Sequence, residues 1–266
     1  MGKKRIFITG GASGLGRAIA LRYARAGYAV CIGDIHDERG ADTEKALRAL
    51  GADAFYTRCN VTEEADFERV RDALNERWGG VDIVVNNAGV ASAGKIDETS
   101  IEDWRWIIEI NLLGVVRGCK VFTPVFKRQG SGYFVNVASM AGLINAPFMN
   151  SYNVTKAGVI SLSETLETEL YDEHIGVSVL CPGFVKTNLA ESVRAADPRM
   201  AALTKKLVER GTVTAEAVAD AVFDAVKARR FYVLPHDTEA RIWLAKRALP
   251  RSVFSRIVVQ RARKFR

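Results

Sequence analysis

Arg5-Ile6-Phe7-Ile8-Thr9-Gly10-Gly11-Ala12-Ser13-Gly14-Leu15-Gly16 is the stretch on which the reading of the fold turns. Its first five residues make a short apolar strand, and Arg17 to Ala24 continue as a helix that ends at Gly27. Strand, glycine-rich turn and helix, in that order, form a phosphate-binding arrangement. Glycines let the backbone approach a pyrophosphate, and the helix N-terminus offers unpaired N–H groups and a positive dipole end. The spacing is Gly10, Gly14, Gly16 rather than the common Gly-x-Gly-x-x-Gly, and a plain Gly-rich turn is the competing reading.

Downstream the same alternation repeats. Ala29 to Asp34 is a second strand, ending in an acid eighteen residues after Gly16. A carboxylate there accepts hydrogen bonds from an adenosine ribose and repels a 2′-phosphate. Neither Ser13 nor Ile35 supplies a cation for that phosphate; alternatively Asp34 caps the helix from Asp37 to Leu50. Strands follow at 54–59, 81–85, 133–138, 176–181 and 231–234, with helices at 63–78, 101–120, 151–172 and 215–227, the last capped by Thr214. Residues 188–211 have mixed polarity and no strand pattern, which suits a flap over a site. Short apolar strands alternating with longer amphipathic helices predict an α/β fold, a doubly wound parallel sheet of about seven strands, Rossmann-like. The expected division is a single domain over 1–236 and a basic helical extension over 237–266.

Composition excludes several classes. The 266-residue chain has no apolar run long enough for a membrane span, and its first residues enter a strand without a signal-peptide pattern. Cys31, Cys59, Cys119 and Cys181 are widely spaced in apolar runs, so they read as reduced core residues of a cytosolic protein, with no metal site. The net charge of +7 is carried by the tail: residues 241–266 hold nine Lys or Arg and no acid. Of the chain's 38 basic and 31 acidic residues, that leaves 29 and 31 in residues 1–240. A near-neutral body argues against nucleic-acid binding.

The chemistry is expected in Ser139 to Lys156. Ser139 follows the apolar run 133–138, and Tyr152 and Lys156 share a helix face in the first turns of the next helix. A phenol titrates near ~10, and a neighbouring ammonium is the simplest device to bring it down. The hydroxyl of Ser139 is then placed to hold a substrate oxygen. By itself Tyr-x-x-x-Lys is far more often an ordinary surface pair than a site, because four-residue patterns of common residues arise by chance. Asn111 stands mid-helix in an apolar stretch, where it is a poor helix former that either bonds locally or is functional. Leu143, Ile144, Phe148 and Met149 beside these residues suggest an apolar pocket, or plain packing.

Taken together, Thr9-Gly10-x-x-x-Gly14-x-Gly16, Asp34, Asn86-Asn87-Ala88-Gly89, Asn111, Ser139, Tyr152-x-x-x-Lys156 and Pro182-Gly183 with Thr187 resemble the classical short-chain dehydrogenase/reductase family over residues 5–235. Asn60 departs from the usual Asp before Val61, though its oxygen still offers an acceptor to an adenine amine. The resemblance implies that Tyr152 is the general acid or base, that Lys156 lowers its pKa and bonds the nicotinamide ribose, that Ser139 orients the substrate oxygen, and that Asn111 holds a water. It further implies NAD contacts from Gly10, Ser13, Gly14, Leu15 and Gly16 at the pyrophosphate, Asp34 and Ile35 at the adenosine ribose, and Asn60 and Val61 at the adenine. Asn87, Ala88 and Gly89 would pack along the cofactor, and Pro182, Gly183, Val185 and Thr187 would lie at the nicotinamide end.

The expected activity is hydride transfer between NAD and an apolar secondary alcohol or ketone, such as a steroid, terpenoid, long-chain or aromatic compound. The alternatives are an NADPH-dependent carbonyl or ketoacyl reductase and a catalytically silent nucleotide-sensing scaffold. Apolar positions Val115, Val116, Val159, Ile160 and Leu166 exceed what one sheet face covers, so a homo-oligomer, a dimer or tetramer, is expected. In the tail, Ile242, Ala245 and Leu249, then Val253, Phe254, Ile257 and Val258, fall at helical spacing on either side of Pro250. That stripe is expected to pack on the protein; an anionic membrane surface, with a peripheral location for the protein, is the alternative.

Overall fold

The computed structural model describes residues 2–195, 197–209 and 211–262, so the tail cations Arg263, Lys264 and Arg266 lie outside the described residues. The described residues form nine strands: β1 (Arg5–Thr9), β2 (Ala29–Asp34), β3 (Ala54–Arg58), β4 (Ile83–Asn86), β5 (Ser92–Ala93), β6 (Gly132–Val137), β7 (Ile175–Leu180), β8 (Arg194–Ala195) and β9 (Tyr232–Val233). Seven of them form one parallel sheet in the order β3-β2-β1-β4-β6-β7-β9. β5 pairs separately with β8, parallel, which places a two-residue strand inside the stretch 188–211 expected to have none. So short a strand carries no periodicity for the sequence to display.

Both faces of the sheet are covered, and strand residues divide by parity. Phe7 of β1 joins Phe67, Phe122, Phe126, Phe134 and Val159 on one side, under helices α3 (Glu64–Trp78), α5 (Gly114–Gln129) and α7 (Asn150–Glu169). Ile6 and Ile8 join Tyr23, Leu47 and Val222 on the other, under α1 (Gly14–Arg25), α2 (Asp37–Ala49) and α9 (Ala215–Lys227). β2 and β7 are buried along their whole length, as parallel strands sandwiched between helices must be. The strand order reverses between β1 and β4, and a crevice opens there at the carboxyl ends of the strands. All four cysteines are buried and free.

The helix expected over 101–120 is longer and is not uniform. α4 (Ile101–Ile108) passes through a π-helical turn at Glu109–Leu113 into α5. α5 runs on through Pro124, which is exposed. The carbonyl that Pro124 leaves without an intrahelical donor belongs to Lys120, also exposed, so water satisfies it and the helix continues. Beneath it, Asn86 Nδ2 donates to Asn136 Oδ1 (2.9 Å) and Asn136 Nδ2 to Ser163 Oγ (3.0 Å), tying β4, β6 and α7 together in the core.

Three apolar positions expected to serve an oligomer interface serve this core instead. Val115, Val159 and Ile160 are buried within the subunit. Each sits on the sheet-facing side of its helix, and the sheet absorbs more of the apolar stripe than a count of apolar residues suggests.

After α6 (Met140–Ile144) and α8 (Pro198–Glu209), the chain closes with α10 (Asp237–Ala248) and α11 (Arg251–Ala262). α10 docks on the body: the Trp243 ring lies 5.0 Å from that of Tyr232, and Lys246 Nζ donates to the Leu143 carbonyl of α6 at 2.5 Å. α11 buries Phe254 and exposes Val253, Ile257 and Val259. No helix among the described residues is long and apolar enough to cross a membrane.

Candidate active site

The crevice is a cavity of about 660 Å³, within the ~300–1,000 Å³ usual for small-molecule sites. Gly10, Ser13 and the first turn of α1 line its floor. Ser13 is the N-cap of α1 yet makes no side-chain cap bond, and no acid stands in the first turn. The leading amides of α1 are therefore left for an anion. A Cβ on Gly16 would meet the Gly10 carbonyl oxygen at 2.2 Å, so only glycine permits this tight turn. The turn is pinned to the next crossover by Thr9, whose hydroxyl accepts from the amides of Asn87 (2.9 Å) and Ala88 (3.0 Å). Asn87 Nδ2 in turn donates to the carbonyls of Thr9 (2.8 Å) and Gly10 (3.2 Å). The cradle fits a pyrophosphate, and with the acid and apolar ledge beside it, a dinucleotide.

Asp34, at the end of β2, lines one end of the cavity with Ile35. It does not cap α2, whose N-cap is His36. Its carboxylate accepts from the amides of Ala12 (3.0 Å) and His36 (3.1 Å), which locks its orientation and leaves further lone pairs. Two groups that local pattern did not mark, His36 and Arg39, also line this end. Arg39 reaches across to Glu191 of the segment 188–192 with an ion pair at 3.0 Å. Asn60 and Val61 complete the end; Asn60 Oδ1 already accepts from the Thr62 amide at 3.1 Å.

At the other end stand Ser139, Tyr152 and Lys156. Ser139 is the N-cap of α6: its Oγ accepts from the Ala141 amide (3.1 Å) and donates to the Pro182 carbonyl (3.3 Å). Tyr152 and Lys156 lie one turn apart on α7, both buried. Lys156 Nζ donates to the Val137 carbonyl at 2.9 Å and sits 5.8 Å from the Tyr152 ring centroid. Burial raises the Tyr152 phenol above its ordinary value, against a smaller downward pull from Ser139. Burial also lowers Lys156 to about 8. Lys156 was expected to draw the phenol down, but burial sets the direction of the Tyr152 shift and Lys156 is not among its causes.

Asn111 occupies the π turn and is fully buried. Its Oδ1 accepts from the Val90 amide (2.8 Å) and its Nδ2 donates to the Val90 carbonyl (2.9 Å), so its amide is bonded locally. It lies behind the cavity wall rather than on it. A Cβ on Gly89 would find Asn111 Oδ1 at 3.2 Å and Lys156 Nζ at 3.5 Å, so both side chains close on that glycine where a larger residue would project.

Pro182, Gly183, Val185 and Thr187 line the same end. Of the four residues expected to form an apolar pocket, Ile144 and Met149 line the cavity and Leu143 and Phe148 do not. Leu143 is buried in the core against which Ile144 also packs. The wall is completed by Phe184, Leu189 and Val208, and by one carboxylate from the C-terminal extension, Glu239. These arrive from distant parts of the chain and carry no local signature.

A parallel sheet with a glycine cradle at its switch point, an acid at the next strand and a Ser, Tyr, Lys cluster beyond defines a dinucleotide-binding oxidoreductase. Comparison with known proteins narrows the class. The family model for short chain dehydrogenase matches residues 4–198. A CLA biosynthesis dehydrogenase/reductase of Lactiplantibacillus plantarum is 34% identical over 88% of this chain and 88% of its own. The 3beta-hydroxysteroid dehydrogenase 1 of Eggerthella lenta is 36% identical over 80% of this chain and 82% of its own. Among solved structures, a short-chain dehydrogenase/reductase from Burkholderia phymatum in complex with NAD superposes with a TM-score of 0.87 at 34% identity, covering 92% of this chain and 93% of that one. One from Sphingobium yanoikuyae in complex with NADPH gives 0.79 at 26%, covering 95% of each chain. The chain belongs to the short-chain dehydrogenase/reductase family.

Proposed function

We propose that the protein is an NAD-dependent dehydrogenase that interconverts an apolar secondary alcohol and its ketone. The observation that carries this reading is that Ser139, Tyr152 and Lys156 share one cavity with the α1 amide cradle, facing a wall of Ile144, Met149, Phe184, Leu189 and Val208. That the relatives include a hydroxysteroid dehydrogenase supports an apolar substrate.

A bound nicotinamide supplies or accepts the hydride and, when oxidised, brings a positive charge to this end of the cleft. The rest falls to the protein. The raised phenol of Tyr152 is protonated at neutral pH, so it is ready to donate to a carbonyl oxygen as reduction proceeds. In the other direction it receives the alcohol proton once a positive charge stabilises the phenolate. The Ser139 hydroxyl holds the same substrate oxygen by turning its one hydrogen from the Pro182 carbonyl toward it. Lys156 spends one N–H on Val137 and keeps two for ribose hydroxyls. Asn111, through Val90, supports the wall behind Gly89.

Asp34 favours NAD, since a 2′-phosphate beside it meets a like charge. A second reading, NADPH dependence, draws on Arg39 and His36 at the same end. The ion pair with Glu191 engages Arg39 and weighs against it. A panel of secondary alcohols offered with NAD and with NADP, read as reduced nicotinamide absorbance, tests the proposal. NADH formation with apolar cyclic or long-chain alcohols is expected. Turnover confined to NADP would overturn the cofactor assignment.

A further inference from the structure

The cavity is lined by three carboxylates: Asp34, Glu191 and Glu239. Asp34 is held by two amides and Glu191 by Arg39. Glu239 is different. It is half-buried, and among the described residues it makes no hydrogen bond or ion pair. It is the third residue of α10 after the N-cap His236, the position from which a glutamate ordinarily turns back onto the cap amide. Here it makes no such bond and instead extends over the turn that follows β7. A Cβ on Gly183 would find Glu239 Oε1 at 3.1 Å. Gly183 adjoins Pro182, whose carbonyl accepts from Ser139 Oγ. The free carboxylate therefore stands one residue from the group that orients Ser139, in a cavity whose apolar lining comes from Ile144, Met149, Phe184, Leu189 and Val208 and whose hydroxyls include Thr187, Ser192 and Thr204.

An ionised carboxylate only accepts hydrogen bonds, and it is costly to keep beside apolar side chains without a donor. A ligand that supplies the donor relieves that cost. A neutral hydroxyl does so without bringing a second charge into the apolar wall, whereas an ammonium must itself be desolvated and an anion is repelled. We propose that Glu239 is a substrate-recognition residue that accepts a hydrogen bond from a second hydroxyl, remote from the reacting carbinol. The preferred substrate is then an apolar skeleton with two oxygen functions, a diol or a hydroxyketone, rather than a simple mono-alcohol. This rests on the reading of the cavity as a dehydrogenase site.

Paired mono-ols and diols of one skeleton test it on the full-length enzyme: cyclohexanol against 1,4-cyclohexanediol, and 5α-androstan-3-ol against 5α-androstane-3,17-diol. In the unaltered protein kcat/KM should favour at least one diol over its mono-ol by about tenfold or more, as expected for a hydrogen bond to a charged acceptor. Glu239→Leu should bring that ratio to near one. Glu239→Gln, whose amide oxygen still accepts, should retain part of it, which also covers the case in which the leucine variant folds poorly. A diol-to-mono-ol ratio near one in the unaltered protein, or one unchanged in both variants, overturns the proposal. Calorimetric titration with the same alcohols separates the two readings. Diol binding that depends on Glu239 in a protein that reduces neither NAD nor NADP would support recognition by Glu239 while removing the dehydrogenase assignment. Equal binding of diol and mono-ol overturns recognition whatever the turnover.

Discussion

The imidazole of His236 holds the Pro182-Gly183-Phe184 turn from both sides: Nδ1 accepts from the Gly183 amide at 3.1 Å, and Nε2 lies 3.4 Å from the Phe184 carbonyl. Only the tautomer that carries its proton on Nε2 makes both contacts. His236 is buried and is the N-cap of α10, immediately before the C-terminal extension and 53 residues beyond Gly183. It fixes the turn against which a nicotinamide would lie. His236→Ala should therefore weaken cofactor binding, since it frees the turn and leaves the Gly183 amide without its partner. The loss should be roughly 1–3 kcal/mol, or about tenfold to a hundredfold in Kd. Nicotinamide fluorescence titration reads it directly; unchanged affinity would show that the turn holds its shape without the ring.

Tyr152→Phe should abolish turnover and spare cofactor binding. The substitution removes the proton donor and little else, and general acid–base catalysis is worth about 10²–10⁴ in rate. Steady-state assay and cofactor titration on the same preparation make the comparison. Residual activity above about a tenth would assign the proton to another group.

The unaltered protein should prefer NAD over NADP by roughly a hundredfold or more in kcat/KM, the sum of a ribose hydrogen bond and charge repulsion at Asp34. Asp34→Ala should narrow that gap to below about tenfold, and it should also lower the melting temperature, because the Ala12 and His36 amides lose their acceptor. Equal kcat/KM for the two cofactors in the unaltered protein would give the adenosine end to Arg39 instead.

Lys156 gives the fold a pH dependence whose sign follows from burial. Its amine titrates near about 8 in the native protein against 10.5 for an ordinary lysine. Below about pH 8 both native and unfolded chains hold the proton, and folding bears the full cost of burying the charge. Between about 8 and 10.5 the unfolded chain holds more protons, so stability rises with pH in that window. Relative to Lys156→Met, the unaltered protein should gain roughly 2–3 kcal/mol of unfolding free energy across it. Urea melts of both proteins at pH 7, 8.5 and 10 measure the difference. A difference that stays flat would mean that Lys156 keeps its ordinary pKa in the fold.

What the sequence by itself determined is local. The seven strands of the main sheet and their order along the chain, the glycine turn into α1, the Thr214 cap, and the one-turn spacing of Tyr152 and Lys156 all follow from periodicity and backbone preference within a few residues. The residues from Gly10 to Thr187 expected at a cofactor do converge on one crevice, because a parallel sheet brings the carboxyl ends of its strands to one edge. Tertiary structure decided the rest. Val115, Val159 and Ile160 look like spare apolar surface until the sheet covers them. The π turn at Asn111 is set by the bond to Val90, a partner 21 residues away. The fate of the Tyr152 and Lys156 charges depends on desolvation, which a four-residue motif does not encode. Arg39 meets Glu191 across 152 residues, and His236 and Glu239 meet Gly183 across more than fifty, so no local pattern could announce them. Chemistry carried by neighbours along the chain is legible from composition and spacing; chemistry carried by neighbours in space depends on packing, and here packing brings the C-terminal extension onto the turn beside Ser139.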